Sequence, residues 1–189
     1  MDSSLKETLW KQFGADIDKF VGYKTIDKMK LKQYHNNLSN WFRQNIFDLT
    51  NDVKDTDLWT KFDHINSPGW TLLHLIVECE LALVKIKPEY EISVNNFNEF
   101  MYGSSGHAKS NISVPELLKK FNHVYLKLET EVSEQLDILN TTVIKDEDLK
   151  SVLKTELDFY IHILTTHIAM HCDALLKWRL NAGMKRPYE

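Results

Sequence analysis

Residues 162–183, HILTTHIAMHCDALLKWRLNAG, decide the reading of this chain. Leu164, Ile168, Leu175 and Trp178 recur at three-, four- and seven-residue steps, which is the apolar stripe of an amphipathic helix. His167 and His171 stand on that stripe, where the pattern calls for leucine. Residues four apart project from the same helical face, so the two imidazoles can share one small ligand or one metal ion. His162 precedes His167 by five residues, about 140° round the helix, and is expected to face elsewhere. Upstream, Leu157 and Ile161 continue the stripe, and Thr155 with Asp158 makes an acidic variant of the capping box. Gly183 is the stop signal, so one helix is expected from Thr155 to Gly183.

The rest of the chain has the same character. Residues 66–90, NSPGWTLLHLIVECELALVKIKPEY, carry a cap at Ser67, a proline at the first helical position and Pro88 as a terminator. Apolar residues surround this helix, so it should be the most buried one, with His74 in its middle and Glu78 one turn on. Leu31, Tyr34, Leu38, Trp41, Phe42, Ile46 and Leu49 mark a second helix, closed by the polar stretch TNDVKDTDLW. Val114, Leu117, Phe121, Val124, Leu128, Val132 and Leu139 mark a third, opened by Ser113. Leu5, Leu9, Phe13, Ile17 and Phe20 predict an accessory N-terminal helix over residues 1–22, capped at Ser3 or Ser4. Residues 89–113, with GSSG at 103–106, have no clean period and read as a long connection, a length that in compact domains is often functional. The expectation is an all-α, four-helix bundle forming one domain over residues 1–189, with a long crossover connection and an extra N-terminal helix.

Composition narrows the function classes. With 23 basic against 27 acidic residues the net charge is −4, so no cationic footprint for nucleic acid is present. The longest apolar run, residues 70–76, contains His74 and falls far short of a membrane span. The N-terminus lacks the apolar core of a signal peptide, and Cys79 and Cys172 are isolated thiols without CxxC spacing. A cytoplasmic protein is expected.

Of the eight histidines, His35, His64, His107 and His123 sit in polar contexts and read as solvated or capping residues. His74, His167 and His171 lie at apolar positions, where each ring nitrogen needs a partner. Convergence on one divalent cation would supply it; hydrogen bonding within the core is the alternative. The pair is not a metalloprotease helix, because Ile168 occupies the position of the HEXXH glutamate. Glu78 can be a carboxylate ligand, a general base or an acceptor behind His74, or else a solvated or tyrosine-bonded glutamate. Cys172 lies about 100° round from His171, which argues against a Cys–His pair. Cys79 reads as a buried, inert thiol, and Trp41, Trp59 and Trp70 as core or pocket lining.

The run GWTLLHLIVECE (69–80), followed some ninety residues later by LTTHIAMHCDALLKWRLNAG (164–183), resembles the DinB-like superfamily of metal-binding four-helix bundles, which includes the bacillithiol and mycothiol S-transferases. KETLWKQFGADID (6–18) is similar to starts seen in some of its members. The resemblance implies that His74, His167 and His171 ligate a divalent ion such as zinc, nickel, iron or manganese. It makes Trp178–Arg179 the terminal pair of the last helix. It also implies a small-molecule thiol and an electrophile as substrates, and a homodimer, for which the stripe on residues 1–22 would serve. The chain departs from the family pattern at Ile168, where many members carry glutamate, and at Asp173–Ala174, where they carry Gly-Gln. Both changes remove polar groups that tune a metal and its ligands.

Overall fold

A computed structural model of the chain describes residues 28–145 and 148–187. The chain divides into two compact units, Met1–His35 and Asn36–Glu189, and every side-chain contact discussed below lies within the second. The helix expected over residues 1–22 lies outside the described residues.

The described fold is all-α: α1 (Lys28–Thr50), α2 (Pro68–Ile86), a 3-10 turn (Phe97–Phe100), α3 (Val114–Glu134), the short α4 (Leu136–Thr141), α5 (Glu156–Leu164) and α6 (Thr166–Asn181). Two isolated β-bridges, Phe62 with Ile65 and Val143 with Thr155, are the only sheet-like pairings among the described residues. No helix there is long and apolar enough to cross a membrane.

α2 is the hub of the fold. The Ser67 side chain accepts from the Trp70 N–H and Pro68 stands at the first helical position, which satisfies one orphan donor and removes another. Fourteen of its 19 residues are buried, so it packs on several partners at once: α3, α5, α6 and the 3-10 turn. Each Leu or Ile that it removes from water contributes about 1.5–3 kcal/mol. Its GW opening has a steric reason. The indole of Trp59 lies so close to the Gly69 Cα that a Cβ there would sit 2.9 Å from the ring. Gly69→Ala is therefore expected to lower stability by about 1–3 kcal/mol, the usual consequence of overpacking, read as a drop in the urea midpoint.

α3 starts with a capping box in which Glu116 accepts from the Ser113 N–H at 3.1 Å. The stripe predicted to run on to Leu139 is interrupted at Gln135 (φ −111°, ψ 14°), and Leu139 belongs to α4. α1 joins α3 through a buried polar chain: Ser39 Oγ donates to Glu129 at 2.6 Å and lies 2.9 Å from the Tyr125 hydroxyl. Arg43 on α1 also donates to Asn122 on α3. Trp41, expected inside, is 59% exposed. Its neighbour Phe42, about 100° further round the helix, packs on the core instead.

The last helix is broken. The Thr155–Asp158 capping box forms as expected, with Asp158 N–H on Thr155 Oγ1 at 3.2 Å and Thr155 N–H on the Asp158 carboxylate at 2.9 Å. α5 then ends at Leu164, Thr165 leaves helical geometry (φ −133°, ψ −79°), and α6 begins at Thr166. The Leu164 carbonyl accepts from the Tyr125 hydroxyl of α3 at 2.5 Å, so a side chain satisfies it where the backbone turns away. α6 is anchored at its far end by Trp178 and Arg179, both buried. Trp178 Nε1–H donates to the Thr60 carbonyl at 2.7 Å, and Arg179 binds Asp52 as well as the Leu49 and Lys185 carbonyls.

Candidate metal centre

His74 of α2 and His167 and His171 of α6 come together, as their stripe positions predict. His74 is buried and the other two are partly so. His74 Nε2 lies 3.2 Å from His167 Nε2, which lies 3.1 Å from His171 Nε2. The candidate ligand atoms of all three fall within 4.8 Å of one another. Among the described residues this is the only cluster of three or more His, Cys, Asp or Glu side chains placed to hold a metal ion.

The tautomer of His74 follows from its partner. Its Nδ1 sits 2.7 Å from the Phe100 carbonyl, which can only accept. Nδ1 therefore carries the proton, and Nε2 presents a lone pair to the cluster. The indole of Trp70 stacks on the same imidazole, with ring centroids 5.0 Å apart and planes 10° from parallel.

The surroundings keep the rings neutral. Burial, followed by the neighbouring His74 and His162, pushes the His167 pKa down to about 4. Burial, followed by His167 and His74, pushes that of His171 down to about 3. Burial also lowers that of His74, against the Phe100 hydrogen bond, which raises it. At neutral pH each ring thus carries a single proton, the two short Nε2 contacts share His167, and His167 Nδ1 is buried without a partner. The donor set fits a borderline divalent cation. At a metal–nitrogen distance of about 2.0–2.1 Å, adjacent ligands stand about 3.0–3.4 Å apart, as the Nε2 pairs do here.

These directions predict the pH response of the metal-free protein. In the unfolded chain the imidazoles titrate near about 6.5, while His167 and His171 stay neutral in the folded one down to lower pH. The contribution of these two groups to stability is thus flat above pH 6.5 and falls as the pH drops towards 4, because the unfolded state takes up protons that the folded state refuses. Urea midpoints in the presence of a chelator should show a loss of about 1–3 kcal/mol between pH 6.5 and 4.5. A His167→Gln/His171→Gln variant should lose less.

The other expected residues divide. Glu78 Oε1 stands 3.9 Å from His74 Nδ1, behind the ring rather than at the cluster, and burial raises its carboxyl pKa. His162 comes nearer than helical arithmetic allows: its ring lies 5.8 Å from that of His167, and its Nδ1 is 2.6 Å from Thr166 Oγ1. The break at Thr165 resets the angle between the two histidines, so the 140° expected of an unbroken helix does not apply. Ile168 is fully buried in the core, while Asp173 is exposed and pairs with Lys177 at 2.6 Å. Cys79 is buried with its pKa pushed up, and burial pushes Cys172 up to about 12, so neither is a ready thiolate. His64, His107 and His123 are exposed. In the 103–106 turn the Ser105 carbonyl accepts from Lys61 at 2.9 Å, and Gly106 packs on Asn66 with a left-handed φ of 69°.

Two contributors were not anticipated. The carbonyl of Phe100, in the long connection, belongs to the backbone and has no letter in the sequence. The break at Thr165 had one weak sign, the β-branched Thr165–Thr166 pair ahead of His167. The fold and cluster define an all-α chain with a three-histidine cation-site geometry. Comparison with protein-family models, with curated proteins and with solved structures finds no match to this chain.

Proposed function

We propose that this chain is a DinB-like protein that binds one divalent cation through His74, His167 and His171. The observation that carries this reading is the pair of 3.1–3.2 Å contacts that His167 Nε2 makes with Nε2 of His74 and of His171, with the ligand atoms of all three within 4.8 Å. A bound cation would supply Lewis acidity, lowering the pKa of a coordinated thiol or water. Three protein ligands would leave coordination positions for such a group. His74 and His171 hold the two sides of the site, and His167 bridges them. The substrate class implied by the resemblance is a small thiol with an electrophilic acceptor, working in a homodimer.

A second reading, cation binding without turnover, is favoured by Ile168 and Asp173. One is sunk in the core and the other paired outward with Lys177, so neither offers a proton-moving group at the cluster. The two readings part in an assay of several low-molecular-weight thiols with a fluorogenic alkylating agent, run on metal-loaded protein. Acceleration that disappears in His171→Ala supports the transferase. Stoichiometric metal with no acceleration for any thiol supports binding alone.

A further inference from the structure

Behind the cluster, α2 and the long connection grip each other through two consecutive carbonyls. Trp70 and His74 lie one turn apart on α2, both buried, with their rings stacked. Trp70 Nε1–H donates to the Glu99 carbonyl at 3.1 Å, and His74 Nδ1–H to the Phe100 carbonyl at 2.7 Å. Both carbonyls belong to the 3-10 turn Phe97–Phe100, which Asn96 enters in a left-handed conformation (φ 53°). Further along α2, the buried Glu80 carboxylate accepts from the Ser93 N–H at 3.1 Å and from the Tyr90 hydroxyl at 3.4 Å. The connection is thus fastened to α2 at two places, and one of them is the imidazole itself.

We propose that Trp70 and the Phe97–Phe100 turn clamp the His74 imidazole in one orientation and one tautomer, so that Trp70 is a positioning residue for the cation site. The proposal rests on the reading of the three histidines as that site. The indole confines the ring on one face. Its N–H pins Glu99, and Glu99 sets where the adjacent Phe100 carbonyl lies. That carbonyl holds the proton on Nδ1 and leaves Nε2 bare. Glu78, at 3.9 Å from Nδ1, is too distant to take over that hydrogen bond without a shift of the ring. Cation affinity therefore depends on how well the connection is docked, through a residue that touches no cation.

Trp70→Phe tests this, because it keeps an aromatic face over His74 and deletes only the indole N–H with its outer ring. Two readouts are taken: zinc affinity by competition with a chromophoric chelator, and the histidine ring tautomers of chelator-treated protein by 15N NMR. The expected result is zinc binding weakened about 10–100-fold, the usual effect of losing support behind a ligand. His74 should be a single Nδ1–H tautomer in the wild type and a mixture in the variant. Trp59→Phe, with the same loss of indole elsewhere, should leave both readouts unchanged. Identical affinity and tautomer in Trp70→Phe, or an Nε2–H tautomer in the wild type, would overturn the clamp. If the wild type binds no zinc, the metal reading fails by itself. The tautomer comparison then decides the clamp alone: a change in the variant upholds it, and no change overturns it. Should Trp70→Phe not fold, Trp70→Tyr takes its place under the same criteria.

Discussion

Wild-type protein purified without a metal-affinity tag is expected to carry about one divalent ion per chain, and His167→Ala less than a tenth of that. His167 is the informative position because its Nε2 is the shared neighbour, 3.2 Å from that of His74 and 3.1 Å from that of His171. Without it, only two ligands remain, one on each of two helices, and the neighbour they share is gone. Loss of groups that merely support a ligand weakens metal sites 10–100-fold, so loss of the central ligand should exceed about 100-fold. Elemental analysis gives the content and chelator competition the affinity. Equal, sub-stoichiometric metal in both proteins would sink the site. A second arm guards against misfolding. The urea midpoint of metal-free His167→Ala, measured beside that of metal-free wild type, shows that the variant is folded under the conditions of the metal assay, so that the loss of metal reports the loss of a ligand.

Trp178→Ala should produce the largest loss of stability, about 3–5 kcal/mol, seen as a lowered urea midpoint with an unchanged slope. The indole is fully buried, lies 5.9 Å from the Phe62 ring, and donates to the Thr60 carbonyl at 2.7 Å. Truncation leaves a cavity and an unpaired carbonyl, and loosens the end of α6 that fixes the histidine pair. Cation binding draws on the same folding equilibrium, so it should restore part of the loss. Zinc at a hundredfold excess over its dissociation constant adds about 2.7 kcal/mol to the folded state. The midpoint of Trp178→Ala should rise with zinc, and that of Trp178→Ala/His167→Ala should not. A rise in both would place zinc binding outside the histidine cluster.

Local chemistry made much of this legible in advance. Ser67, Pro68 and Pro88 delimit α2, and Thr155 with Asp158 starts α5, because caps and prolines act on the backbone within a few residues. The three histidines could be selected because imidazoles on an apolar stripe are out of place, and their meeting then follows from helix pairing. What escaped was non-local or written in the backbone. The break at Thr165 depends on the Tyr125 hydroxyl reaching the Leu164 carbonyl across 39 residues of sequence. The tautomer of His74 depends on a carbonyl in a segment with no periodicity. Trp41 and Phe42 are adjacent and alike in chemistry, and side-chain type alone does not say that Phe42 turns inward while Trp41 stays exposed.

The interruption between α5 and α6 also decouples the two segments in rotation. In a continuous helix, one residue gained or lost upstream would swing the histidine pair about 100° off target. Here the rotational phase of α6 is set downstream, by Ile168, Leu175 and Trp178 in the core, and the joint at Thr165 separates it from that of α5. A residue added to or removed from α5 is therefore expected to leave the aim of the two imidazoles unchanged.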